Sequence, residues 1–213
     1  MKIVGNNIDK SNYDLIIIVC CYYVHVGKII EIMNKNLEKE GLKFIGVVVD
    51  NKEQGQNISL HKYWSVINGS NEINEFSAYQ EGVSHARKLG VNMKTPMMII
   101  NDSLFTKHSY SYLLKEFIKN RTILKYFDGP SMIGMKSYYS SICLTNPWSN
   151  TISFIPSYIF LINYRALELF ETLPDCALKD GIMFNEKKYF GKDLKIQFLS
   201  LITYHSIKAN ERS

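Results

Sequence analysis

Three apolar runs, spaced by stretches in which apolar residues recur at helical intervals, set the first reading of this chain. Leu15-Ile16-Ile17-Ile18-Val19-Cys20-Cys21-Tyr22-Tyr23 contains no charge and is rich in β-branched residues. That is the pattern of a strand covered on both faces, so it predicts a central strand. Ile29, Ile30, Met33 and Leu37 then follow one helical face among Lys and Glu, and Gly41 stands where a helix can close at positive φ. Phe44-Ile45-Gly46-Val47-Val48-Val49-Asp50 returns as a second buried strand. Strand, helix and strand in that order predict a right-handed parallel crossover.

Asn51 to Ser59 is polar and holds Gly55, which predicts a loop, and Tyr63 to Ile67 predicts a short third strand ending at Asn68-Gly69-Ser70-Asn71. From Asn74, the residues Phe76, Tyr79, Val83 and Ala86 trace a helical face that ends near Gly90. Pro96-Met97-Met98-Ile99-Ile100 is the next strand, and it runs directly into Asn101-Asp102-Ser103. Tyr110, Leu113, Leu114 and Phe117 mark another helix, and Asp128-Gly129-Pro130 a turn. Met132 to Met135 and Ile155 to Asn163 predict further strands, with Pro156 at a strand start or edge, and the second leads into a helix over Ala166 to Leu173. The whole predicts one alternating α/β unit with a less regular second half.

Composition adjusts this picture modestly. With 213 residues and 46% hydrophobic composition, the chain is long enough to bury a sizeable core. The net charge of +5 is spread among acids, which favours anionic small molecules or a membrane surface as partners and argues against nucleic acid. Its basic excess is clearest near the carboxyl end, where Lys187, Lys188, Lys192, Lys195, Lys208 and Arg212 outnumber Asp193 and Glu211. A solvated helix face and a peripheral membrane contact are both consistent with that stretch. Cys20, Cys21, Cys143 and Cys176 have neither zinc-ligand nor disulfide-framework spacing, which predicts reduced thiols in a cytoplasmic protein. No amino-terminal signal pattern and no bilayer-length apolar run are found.

Ligands of open α/β sheets collect outside the carboxyl ends of the strands. Tyr22-Tyr23, Asp50-Asn51 and Asn101-Asp102-Ser103 fall at such ends, and Asn71 to Glu75 form a helix entrance whose amides suit an anion. Each has a plainer reading. Asp50 or Asp102 can simply begin a turn, and Asn71 or Asn74 can be a helix N-cap with Glu75 in the first turn. His25 and His108 read as loop histidines, with no second His or Cys at metal spacing. No G-x-G-x-x-G, G-x-x-x-x-G-K-[ST] or G-x-S-x-G occurs, which argues against a dinucleotide oxidoreductase, a P-loop NTPase and an α/β-hydrolase.

The order Val47-Val48-Val49-Asp50, Asn68-Gly69-Ser70-Asn71, Glu75-Phe76-Ser77-Ala78-Tyr79-Gln80-Glu81-Gly82, then Ile99-Ile100-Asn101-Asp102-Ser103-Leu104-Phe105 resembles bacterial glycosyltransferases of the GT-A fold. It is most similar to those related to rhamnan-synthesis, O-antigen and capsule enzymes. Met132-Ile133-Gly134 and Ile155-Pro156-Ser157-Tyr158-Ile159-Phe160 are similar to the later, acceptor-side part of that pattern, and the resemblance spans about residues 13 to 172.

The resemblance implies an α/β fold of GT-A-like (Rossmann-like) type, three layers α/β/α around a mostly parallel mixed sheet. It implies a single domain, with a nucleotide-sugar-binding half over about 13–130 and an acceptor-side half over about 131–213. The implied activity is transfer of a sugar from a nucleotide-sugar donor to a glycan or lipid-linked acceptor at the inner face of the membrane. Cys21, Tyr22 and Asp50 would then meet the base and ribose, and Asn71 and Glu75 the nucleotide or sugar. Asn101-Asp102-Ser103 stands in the place of the family's Asp-x-Asp motif, which holds a divalent cation, Mg²⁺ or Mn²⁺, against the diphosphate. Only Asp102 is a carboxylate there. Inverting transfer would need a general base, and Asp193 is the best match, with Glu186 and Asp180 behind it and a first-turn helix acid as its plainer reading. Two other functions stay open: a non-catalytic partner or scaffold of the same fold, and a receiver-like signalling domain using Asp50, which the lack of further acids near the first strand disfavours.

Overall fold

The computed structural model describes residues 13–52, 63–72, 74–107, 110–135, 137–138, 153–154 and 158–167. Its centre is β1 (Leu15–Cys21), in which every residue is buried. Strand side chains alternate between faces, so this single run feeds two cores. Ile16, Ile18 and Cys20 pack with Phe76, Tyr79, Val83 and Ala86 on one face. Leu15, Ile17, Val19 and Cys21 pack with Val26, Ile29, Met33, Leu114 and Phe117 on the other. The continuous apolar pattern is therefore a consequence of helices covering both sides of the sheet.

The main sheet has six strands in the order β3-β2-β1-β4-β8-β5. β2 (Phe44–Asp50), β3 (Trp64–Asn68) and β4 (Met97–Asn101) run parallel to β1, and β8 (Ile159–Ile162) pairs antiparallel with both β4 and β5 (Met132–Gly134). α1 (Val26–Glu38) connects β1 to β2, and α2 (Asn74–Lys88) connects β3 to β4. The sheet grows from β1 to β3 in one direction and then returns to the far side of β1 at β4. Crossovers of one hand must then lay α1 and α2 on opposite faces, as the two cores show. The α/β class and the mixed, mostly parallel sheet expected from the sequence are present.

Two glycines have specific work in these crossovers. Gly41 ends the α1 turn at φ 62, a conformation that an L side chain adopts only with strain. Gly82 brings α2 down onto β1, where a Cβ would lie 2.4 Å from Ile18 Cγ2 and 3.2 Å from Val49 Cγ2.

The differences from the sequence reading have local causes. β1 stops at Cys21 rather than Tyr23, because the amides of residues 22–24 turn away to a side chain described below. Two short elements had no periodic signal: α3 (Ser103–Lys107) ahead of α4 (Tyr110–Asn120), and a 3-10 helix over Arg121–Tyr126. Two-residue strands β6 (Ser137–Tyr138) and β7 (Ser153–Phe154) form a separate antiparallel pair. β8 ends before Asn163, whose buried side chain accepts from Ser131 N and Ala166 N and donates to Gly129 O. One residue thus fastens the predicted Asp128-Gly129-Pro130 turn and opens the helix entered at residues 164–167. The expected start of that strand at Ile155 and the end of that helix at Leu173 lie outside the described residues. Among the described residues no helix is long and apolar enough to cross a membrane.

Replacing Gly82 by Ala should lower stability by about 1–3 kcal/mol in urea unfolding, because the new methyl has no room between β1 and β2. An unchanged midpoint would mean that α2 does not approach the sheet this closely.

Candidate functional site

The register of the parallel strands decides which polar residues can meet. Cys21 lies beside Asp50, Asp50 beside Asn68, and Cys20 beside Asn101. The ends of β1, β2, β3 and β4 therefore reach one edge of the sheet together. Strand order reverses between β1 and β4, so the connections after them diverge and leave a crevice there. Of the residues singled out in the sequence, Cys21, Tyr22, Asp50, Asn101, Asp102 and Ser103 come together at this edge.

Asp102 occupies the middle of it, completely buried. Its Oδ2 accepts from the backbone amides of Tyr22 and Val24, each at 2.7 Å, and from that of Tyr23. Three successive N–H groups make a concave nest for an anion, and here the anion is a side chain of the protein itself. The main chain adds a second tie, from Asp102 N to Cys20 O at 3.0 Å. Asp102 Oδ1 is buried and has no hydrogen-bond partner. On either side, Asn101 Oδ1 accepts from Ser103 N at 2.9 Å, and Phe105 N donates to Asp102 O as α3 begins. His25 caps α1 through Nδ1, which accepts from Gly27 N at 3.2 Å, so its role is the local one.

The β2 end carries a polar group of its own. Asp50 is buried, and its Oδ1 accepts from Lys52 N at 3.0 Å. The Lys52 ammonium lies 4.8 Å from the centre of the Tyr22 ring, within cation–π range, and the Tyr22 and Tyr23 rings meet edge to face at 5.2 Å. Asn51 Nδ2 points at Cys20 Sγ, while its Oδ1 is buried without a partner against Gly69. A Cβ at Gly69 would fall 1.9 Å from that oxygen and 2.8 Å from Val49 Cγ1, so a side chain there would have to displace Asn51 and Val49. The Cys21 Sγ donates to Val24 O at 2.8 Å, and burial with the nearby Asp102 and Asp50 charges pushes the thiol far above its ordinary range.

The α2 side supplies residues that the helical pattern concealed. Glu75 is buried in the first turn, as the sequence placed it, and its charge acts on Tyr79 one turn later. Tyr79 is fully buried, and its phenol is held well above its usual range by burial first and then by Glu75, opposed by a hydrogen bond with Asn101. Read only as a core position, Tyr79 is in fact the polar link between α2 and the β4 end. Ser70 N donates to both carboxylate oxygens of Glu81 at 3.1 and 3.3 Å, which fixes the loop after β3. Asn71 sits in that loop at φ 55, exposed. On the other flank Asn101 N donates to Tyr158 O, which places one of the aromatic residues of the second half beside the edge. Tyr158 is half-buried, and its phenol is raised by that burial.

The expected cation ligand fares differently. Asp102 has given one oxygen to three amides, and its other oxygen, Oδ1, is buried with no hydrogen-bond partner. Among the described residues, no group of three or more His, Cys, Asp or Glu is arranged to hold a metal ion. Asp193, Glu186 and Asp180 lie outside the described residues.

Cys21 and Tyr79 both keep their protons to higher pH in the folded chain than in the unfolded one. Their contribution to stability is complete below the unfolded thiol value of about 9 and is lost as pH rises, first through Cys21 and then above about 10 through Tyr79. The free energy of urea unfolding should therefore fall from pH 8.5 to pH 10.5, by up to about 1.4 kcal/mol per pH unit for each group, and Cys21→Ser should remove the first part of the fall. A flat profile would contradict the burial of both groups. No protein-family model matches this chain, and no curated protein matches it either.

Proposed function

We propose that this chain is a GT-A-like glycosyltransferase that moves a sugar from a nucleotide-sugar donor to a glycan or lipid-linked acceptor in bacterial surface polysaccharide synthesis. The observation that carries the reading is the convergence of Tyr22, Asp50 and Asn101-Asp102-Ser103 on the crevice where strand order reverses. An aromatic ring backed by a lysine, beside a buried acid at the end of the second strand, is the chemistry a nucleoside needs: a flat apolar surface with hydrogen-bond acceptors at its rim. Antiparallel β8 brings Tyr158 to the opposite flank, where an acceptor sugar would stack.

In an inverting transfer the acceptor oxygen forms its bond to the anomeric carbon as the bond to the nucleotide diphosphate breaks. The acceptor hydroxyl proton passes to a general base, and Asp193 is the residue proposed for that step. A catalytically silent protein with the same pocket is the second reading, favoured by the commitment of Asp102 to the main chain.

UDP, GDP or dTDP sugars at millimolar concentration should raise the melting temperature through binding to the folded state. No shift with any of them, with or without Mn²⁺, would refute the reading. Asp193→Asn should lower kcat by about 10²–10⁴-fold with donor binding intact, while Asp180→Asn and Glu186→Gln change it little. Wild-type protein that binds donor but never turns over would establish the silent alternative.

A further inference from the structure

We propose that Asp102 is a positioning residue that holds the β1–α1 turn in its ligand-ready shape, and that the crevice binds its ligand without a divalent cation on this carboxylate. The second half of this statement rests on the nucleotide-sugar reading; the first does not.

Four observations carry it. Three consecutive amides, of Tyr22, Tyr23 and Val24, converge on a single oxygen, Oδ2. Their positive ends offset the negative charge on that oxygen. The whole residue is buried and its main chain is bonded to β1 through Cys20 O, so swinging the side chain outward would leave the three amides without their acceptor. On one flank the Asn101 side chain is engaged as well: its Oδ1 takes Ser103 N, and it also bonds the Tyr79 phenol. The other acid at this edge, Asp50, has its Oδ1 on Lys52 N, with the Lys52 ammonium close by over Tyr22. Mg²⁺ and Mn²⁺ need several oxygen ligands in an open geometry, and Asp102 offers one oxygen already taken by three donors and a second, Oδ1, that is buried.

The consequence is a turn formed before any ligand arrives. A nest of three amides at the mouth of a helix would otherwise be open to a phosphate, and Asp102 fills it. The backbone at Tyr22 and Tyr23, whose rings meet edge to face, is thereby held in place. Preorganisation of this kind lowers the ordering cost of binding.

The test is amide exchange and a Mn²⁺ titration on the ¹⁵N-labelled full chain. In the wild type, the amides of Tyr22, Tyr23 and Val24 should be protected. Asp102→Ala should speed their exchange about tenfold or more relative to Val47, Val48 and Val49, while Asp102→Asn, which keeps one acceptor oxygen, should restore most of the protection. Mn²⁺ alone, at equimolar concentration, should leave the resonances of residues 20–24 and 101–103 unbroadened. Equal exchange in the wild type and Asp102→Ala would overturn the positioning role. Mn²⁺ broadening of those resonances that vanishes in Asp102→Asn would overturn the cation-free claim. Should Asp102→Ala fail to fold, the Asn variant and the wild-type titration decide both points. Donor affinity measured in EDTA and in Mn²⁺ should agree within about twofold. Absence of binding in both buffers would count against the glycosyltransferase reading alone, since the exchange and broadening results do not depend on a nucleotide.

Discussion

A buried negative charge tying two strand ends together is the constraint on which this molecule's functional edge depends. Asp102 leaves β4 and reaches across to the turn that follows β1, where three main-chain N–H groups close on one of its oxygens. A charge taken wholly out of water is tolerated only where dipoles replace the lost hydration, and three aligned amides do so. The same contact marks where β1 ends and holds the turn that leads to α1, where the Tyr22 and Tyr23 rings meet edge to face. Sheet register then brings Asp50 and Asn68 level with it.

The cores on the two faces of the sheet make that edge rigid. β1 is covered by α2 on one side and by α1 and α4 on the other, so its end has no freedom to splay. Close approach at Gly82 and the clearance at Gly69 leave no slack between β1, β2, β3 and α2. What the edge offers a ligand is consequently fixed in shape: a tyrosine ring with a lysine above it, a buried acid, and a helix-entrance loop held by Glu81. Below it, Glu75, Tyr79 and Asn101 form a polar seam inside an otherwise apolar layer.

Most of the architecture was legible in the sequence because hydrophobic periodicity reports burial directly. The runs at Leu15, Phe44 and Met97 have the pattern of strands covered on both faces, and Ile29, Met33 and Leu37 that of a helix face, and the structure has them so. The polar strand ends were legible too, as a set of residues at one edge. The role of Asp102 was not, for its partners are backbone amides about 80 residues away that carry no side-chain signature. Tyr79 was hidden for the opposite reason: a tyrosine on an apolar helical stripe looks like core, and its phenol acquires meaning only when β4 places Asn101 against it. The short elements α3, β6 and β7 have too few residues to show a period.

The most direct test of the account is an electron-density map from crystals soaked with a nucleoside-diphosphate sugar in the presence of Mn²⁺. The account predicts the nucleotide in the crevice at the carboxyl ends of β1, β2 and β4, in contact with Tyr22 and Asp50, with Asp102 still on the amides of Tyr22, Tyr23 and Val24. Nucleotide bound elsewhere, or a metal ion coordinated by Asp102 after release of those amides, would contradict it.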